Sequence, residues 1–289
     1  MSKLHQIHIS VGPARYRIVS AWKELLGELQ HLYRDYPEHS DHYADFTVRL
    51  EPSRPWRQFI RPSVHISGDY WLPDAAPLPL NQGLLAAEMG MNLQMALGWR
   101  HHLLLHASSV EKDGRVLLMT GLSGSGKSTL SAMLGEKGWR FMGDEFALLC
   151  PETGMVHPFP RLISLKNAAI PAMENIVSSE RFGPLLKETP KGDIRHLVPP
   201  KNAIKGMMET AKPKLLLFPR FGYDSAIRDM GKSEIFVRLT QASTNYVALG
   251  ERGFRALTNF VDTVPTKAMD YQSGEEAEAL ITQLWDETS

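Results

Sequence analysis

The residues most able to do chemistry form one short run. Gly121-Leu122-Ser123-Gly124-Ser125-Gly126-Lys127-Ser128 fits the pattern G-x-x-x-x-G-K-[ST] in full. Gly121, Gly124 and Gly126 let the backbone turn its N–H groups inward without Cβ clashes, which is how a loop cradles phosphate. The start of the following helix adds positive potential. Lys127 can reach β- and γ-phosphates as a point charge, and Ser128 can offer its hydroxyl to Mg²⁺. Ser123, Ser125 and Thr129 complete the expected nucleotide contacts, so ATP is the expected ligand.

Phosphoryl transfer also needs a carboxylate for the metal, and a base if the acceptor is a hydroxyl. Leu215-Leu216-Leu217-Phe218 is the best downstream apolar strand, but Pro219-Arg220 follows it instead of an acid. Asp262 sits in a helix-like stretch. The better candidates are Asp144 and Glu145, which follow Arg140-Phe141-Met142-Gly143, with Asp144 17 residues after Lys127. A strand there would lie beside the phosphate-loop strand and deliver both acids to the phosphate side of a sheet.

Cationic candidates come next. Lys191-Gly192-Asp193-Ile194-Arg195-His196 reads as extended, and Lys191 or Arg195 could neutralise developing charge. On spacing alone, a solvated basic loop fits these residues slightly better. Arg220 could face the same phosphate edge or make a surface ion pair. Lys166 and Asn167 follow a strand and could contact nucleotide or cap a helix, and the cap is the simpler reading. His101-His102 lack any cysteine or acid at zinc-ligand spacing and read as surface histidines.

These residues need a scaffold. Arg115-Val116-Leu117-Leu118-Met119-Thr120 reads as a buried strand entering the loop, and a helix over 127–136, ended by Gly138, leaves it. Residues 103–107 read as a strand and Lys112-Asp113-Gly114 as a hairpin turn. Strands are expected at 139–142, 146–150, 162–165, 215–218 and 236–239, and helices near 253–261 and 275–285. This alternation argues for an α/β core from about residue 100 onward. Residues 1–80 look strand-rich around a helix at 21–33, with Trp22, Leu25, Leu26, Leu29 and Leu32 on one face. Strands are expected at 44–50 and 63–72. A helix over 81–99 carries Leu85, Met89, Leu93 and Leu97 at four-residue spacing, read as its core-facing stripe. The expected division is an α+β region over 1–100 and a phosphate-loop domain over 101–289.

The 289 residues balance 32 Lys and Arg against 32 Asp and Glu. No net field exists to hold nucleic acid by bulk charge. One cysteine, Cys150, excludes an internal disulfide framework. Neither a signal-peptide core nor an apolar run of membrane-spanning length is present. A cytoplasmic protein without membrane insertion is the expectation.

Leu105-His106-Ala107-Ser108-Ser109-Val110, then the loop in GRVLLMTGLSGSGKSTL, then GWRFMGDE, resembles the catalytic domain of bacterial HPr kinase/phosphorylase, a fold related to phosphoenolpyruvate carboxykinase. The continuous resemblance covers about 103–150. It implies an ATP- and Mg²⁺-dependent kinase acting on a serine-like hydroxyl of a protein, peptide or small molecule. It places His106 near the transferred phosphate, makes Asp144 the base or phosphate-proximal acid, and gives Glu145 a metal role. Where that family has a second Asp, this chain has Glu145. Residues 1–100 do not match the N-terminal domain of true HPr kinases, and the glycine-rich loop that contacts HPr is missing. A different acceptor is therefore implied. A homo-oligomer is implied by the resemblance and by the apolar N-terminal region. Two rival readings stand beside the kinase: an ATP-hydrolysing switch or assembly protein without a dedicated acceptor, and a binding module whose catalysis has decayed.

Overall fold

The computed structural model describes residues 4–37, 43–70 and 76–288, and within them the chain is mixed α/β with several sheets. The N-terminal sheet has five strands in chain order: His5–Val11, Ala14–Ser20, Phe46–Pro52, Ser63–Gly68 and Leu78–Pro79. The expected continuation of the fourth strand to Leu72 lies outside the described residues. The first two strands form a hairpin. Its turn glycine, Gly12, sits at φ +50° against the carbonyl of Pro158, where a Cβ would come within 2.1 Å. Helix Lys23–Leu32 crosses from the second strand to the parallel third and buries Leu25, Leu26, Leu29 and Leu32, as their spacing predicts.

The second long helix, Gly83–Gly98, departs from expectation. Met89 is exposed and Leu93 and Leu97 are half-buried, whereas Leu84, Ala87, Met91 and Met95 are buried. A strict four-residue repeat drifts around a helix of 3.6 residues per turn, so it cannot hold one face. Gly90 lets the helix lie close on the sheet, since a Cβ there would meet Val48 at 2.5 Å.

The six-stranded sheet carries the glycine-rich loop Gly121 to Ser128, the expected phosphate loop. Its order is Ala226–Asp229, Thr266–Tyr271, Lys212–Phe221, Arg115–Thr120, Ala107–Lys112 and Arg140–Gly143. The three strands Thr266–Tyr271, Lys212–Phe221 and Arg115–Thr120 run parallel. Leu117 and Leu215 face one side and Leu118 and Leu216 the other, and both sides are covered. Burial on both faces explains the unbroken apolar runs in these strands. Helix Lys127–Glu136 covers one face together with helix Gly274–Glu287 and strand Ile163–Lys166, while helix Glu251–Thr263 covers the other.

Two expectations are corrected here. Strand Arg140–Gly143 pairs with Ala107–Lys112, not with the phosphate-loop strand. The two-residue turn Asp113-Gly114, with φ of 53° and 76°, locks Ala107–Lys112 onto one side of the phosphate-loop strand, and Lys212–Phe221 takes the other. Residues 236–239, expected as a strand, lie in helix Lys232–Ala242, where Ile235 and Leu239 are buried at helical spacing.

Two three-stranded sheets complete the fold. One contains Val156–His157, Ala147–Leu149 and Leu103–Leu105; the other contains Ile163–Lys166, Gly192–Leu197 and Phe182–Thr189. The apolar core of the N-terminal sheet continues into Leu104, Phe146, Phe159, Leu186 and Ile194. Within it, Arg161 and Glu88 form a buried ion pair, and Glu88 also accepts from the Tyr33 hydroxyl at 2.8 Å. Residues from both halves of the chain thus share one interior.

Candidate functional site

The loop leaves the Thr120 end of its strand with Gly121, Gly124 and Gly126 at φ of 149°, 83° and 92°. At Gly126 two constraints meet. The backbone is left-handed, and a Cβ would lie 1.8 Å from the Tyr271 hydroxyl. Tyr271 donates that hydroxyl to the Ser125 carbonyl at 3.1 Å. Burial holds the phenol well above its usual range, so it stays a donor. Tyr271 ends a strand two places from the loop strand, and sequence spacing held no sign of it. Lys127 opens the helix and is 7% exposed. Its ammonium donates to the carbonyls of Gly121 at 2.8 Å and Leu122 at 2.9 Å. Ser128 follows on the same turn, and Thr129 after it.

The hairpin partner of the loop strand brings His106 to the loop's root. Thr120 Oγ1 donates to the His106 carbonyl at 2.9 Å, and Ser108 Oγ donates to the Lys127 carbonyl at 3.2 Å. The strand beyond that partner runs in the same direction as the loop strand, because it is antiparallel to an antiparallel neighbour. Its end therefore reaches the same edge of the sheet. Asp144 and Glu145 arrive there one strand further out than expected.

Asp144 is 7% exposed, and its Oδ1 has no hydrogen-bond partner. Burial pushes its carboxyl up to about 6; Glu145 adds to this, while Ser128, Lys166 and Lys127 pull the other way. Glu145 is half-buried, with its carboxylate 3.5 Å from His106 Nδ1. Partial burial keeps the His106 imidazole below its usual range, against the pull of Glu145. Burial also lowers the Lys127 ammonium, opposed by Asp144 and Glu145. Lys127, Ser128, Asp144, Glu145 and His106 are thus one electrostatic group. Lys166, at the end of strand Ile163–Lys166, acts on Asp144, Lys127 and His106 alike. From the sequence, Lys166 fits a nucleotide contact or a helix cap, and the cap is the simpler reading.

The other cationic candidates are paired with carboxylates or exposed. Arg195 pairs with Glu174, donates to the Gly183 carbonyl at 2.9 Å and lies over the Phe182 ring. Lys191 is exposed in the turn before strand Gly192–Leu197. Arg220 reaches the loop's edge, where Pro219 and Phe221 flank Gly121 and Gly126. It makes a two-pronged pair with Asp270 at 2.9 and 2.7 Å and stacks on Tyr223. Two further readings are corrected. Asn167 does not cap a helix with its side chain; its Oδ1 accepts from Asp193 N at 3.2 Å. His102 is buried, stacked on Trp99 and accepting from the Trp99 indole at 3.0 Å, because the turn after helix Gly83–Gly98 folds it inward.

Among the described residues, no group of three or more His, Cys, Asp or Glu side chains gathers as a metal cage. Mg²⁺ beside a phosphate loop needs no such cage, since one or two carboxylates, a hydroxyl and phosphate oxygens supply its ligands. The Ser128 hydroxyl and the half-buried Glu145 carboxylate fit that ligand set, with the unpartnered Asp144 oxygen beside them. No helix of the described residues is long and apolar enough to cross a membrane.

No protein-family model matches the chain, and no curated protein matches it. A solved structure of the Hpr(Ser) kinase/phosphatase from Coxiella burnetii is similar at 13% identity, covering 63% of this chain and 89% of that one, with a TM-score of 0.29. At that TM-score the likeness carries no argument about this chain.

Proposed function

We propose that the protein binds ATP in the loop Gly121 to Ser128 and transfers the γ-phosphoryl group to a hydroxyl. The observation that carries the reading is Asp144: a buried carboxylate with an unpartnered oxygen, pushed up to about 6, on the same sheet edge as the phosphate loop. Such a group is mostly ionised near neutrality yet basic enough to take a proton from an attacking hydroxyl. In the reaction, the acceptor oxygen forms a bond to the γ-phosphorus as the bond to the β-bridging oxygen breaks. ADP leaves, and the hydroxyl proton passes to Asp144. Loop amides and the Lys127 ammonium hold phosphate oxygens. Ser128 and Glu145 would hold Mg²⁺, which supplies charge neutralisation on the phosphates when bound. His106 orients Glu145, and Lys166 adds positive charge at the same edge.

The domain division at about residue 100 and a homo-oligomeric state belong to this proposal, with residues 1–100 contacting the acceptor. The test is incubation with γ-labelled ATP, Mg²⁺ and hydroxyl-bearing proteins, peptides or small molecules. Label in a stable hydroxyl ester, lost in Asp144→Asn, is the expected result. Release of free phosphate alone would assign the site to a hydrolytic switch, and absence of any turnover with intact ATP binding would leave a binding module.

A further inference from the structure

A second concave site lies in the N-terminal sheet. The connection between strands Phe46–Pro52 and Ser63–Gly68 runs Ser53-Arg54-Pro55-Trp56-Arg57-Gln58-Phe59-Ile60-Arg61-Pro62, with three arginines and no acid. It is a built loop. Its base is closed by Ser53 N donating to the Ser63 carbonyl at 3.2 Å and by the two serine hydroxyls at 2.6 Å. A 3-10 turn over Pro55–Gln58 shapes its tip, and the Trp22 indole donates to the Gln58 carbonyl at 3.3 Å. Opposite stands the short strand Leu78–Pro79, joined by Leu80 N donating to the Pro62 carbonyl at 3.1 Å. Between these walls lies a groove of about 900 Å³, lined among others by Arg54, Arg57, Arg61, Trp56, Pro79 and Asn81.

The groove is one-sidedly basic, with three arginines and no acid in its lining. Arg140, Arg161, Arg181, Arg195, Arg220 and Arg252 each pair with a carboxylate. Among the described residues, Arg54, Arg57 and Arg61 pair with none; Arg54 lies over the Trp56 ring and Arg57 donates to the Arg61 carbonyl. In a chain of zero net charge, three clustered guanidinium groups without carboxylates form a local positive field. Trp56, 52% exposed, supplies a flat apolar wall beside them. Tryptophan and arginine are the residues that most often dominate protein–protein binding energy, and guanidinium forks match carboxylates in two-pronged fashion.

We propose that this groove docks a short, extended, acidic segment of a partner protein, its carboxylates on Arg54, Arg57 and Arg61 and an apolar side chain against Trp56. Charge complementarity selects an acidic segment, and the three guanidinium groups and Trp56 line one groove along which an extended chain can lie. The site is separate from the phosphate loop, and the proposal does not depend on the kinase reading.

The test is fluorescence anisotropy of the full-length protein with a labelled peptide of alternating Glu and Leu containing one Pro. A matched peptide with Lys for Glu, phosphatidylserine vesicles and oligouridylate serve as competitors. Saturable binding of the acidic peptide, weakened by salt, is expected. Arg54→Glu with Arg57→Glu should weaken it about tenfold or more, and Trp56→Ala should weaken it separately. Thermal unfolding of both variants should match the parent, since Arg54 and Trp56 are exposed and Arg57 half-buried, all three outside the apolar cores. No peptide binding, binding unaffected by the arginine reversal, or displacement by vesicles or oligouridylate in preference to peptide would each overturn the assignment.

Discussion

At the residue scale, Asp144 makes the most specific predictions. Its folded-state carboxyl stands near 6, above the ordinary 3.8, because burial disfavours its charge. The folded protein therefore binds this proton more tightly than the unfolded chain. Stability is fully supported below about 3.8 and is lost as pH rises through about 6. In protein free of nucleotide and metal, Asp144→Asn is expected to raise unfolding stability at pH 8 by about 1–3 kcal/mol while leaving it little changed at pH 4. Urea titrations at the two pH values check this. The same variant should lose about a hundredfold to ten-thousandfold in phosphoryl transfer, and the parent's kcat/KM should fall on the acid side of about pH 6 as the base is protonated. Lys127→Ala should abolish ATP turnover with the fold intact. An unaltered turnover rate in that variant would remove the loop from the mechanism.

Elements decide how these groups meet. The glycines of the loop were legible as a motif, but what they pack against was not. Gly126→Ala should cost about 1–3 kcal/mol in backbone strain alone, and it drives a Cβ into Tyr271. ATP binding should fall with it. Adding Tyr271→Phe removes the atom that the new Cβ strikes first, so the double variant should regain part of the lost stability while the strain at φ 92° remains. A double-mutant cycle by thermal unfolding reads that coupling. The hairpin through Asp113-Gly114 shows the complementary case. A two-residue turn with the right dipeptide was readable locally, and its consequence was that Arg140–Gly143 had to add outside the hairpin. Helix Gly83–Gly98 was readable as a helix but not in its facing, since apolar residues occur on nearly all sides and burial on each depends on what arrives there.

For the whole molecule, the informative feature is the shared interior. Glu88 on helix Gly83–Gly98 and Arg161 near strand Ile163–Lys166 are 73 residues apart and form a buried pair. Removing one partner leaves the other charge without compensation, so Glu88→Ala should destabilise the protein by about 3–5 kcal/mol in urea unfolding. If residues 1–100 instead unfolded in a separate transition with the later residues unaffected, the pair would not couple the two regions. The distribution of charge follows the same pattern. Arginines in the later part of the chain are largely held by carboxylates, whereas Arg54, Arg57 and Arg61 stand together over a groove.

Much of the candidate site could be read from the chain because a phosphate loop is a local object. Its glycines, lysine and serine lie in eight consecutive residues, and backbone geometry requires them at that spacing. Alternating apolar strands and helices marked the α/β core for the same reason, since local periodicity follows from local geometry. Tertiary structure alone decided the rest. Which edge strand carries Asp144 depends on which pairing positions were already taken. Lys166 and Tyr271 reach the loop from strands 39 and 144 residues beyond Lys127, and Arg195 is drawn to Glu174. Such contacts join residues far apart in the chain, and no spacing rule within the sequence encodes them.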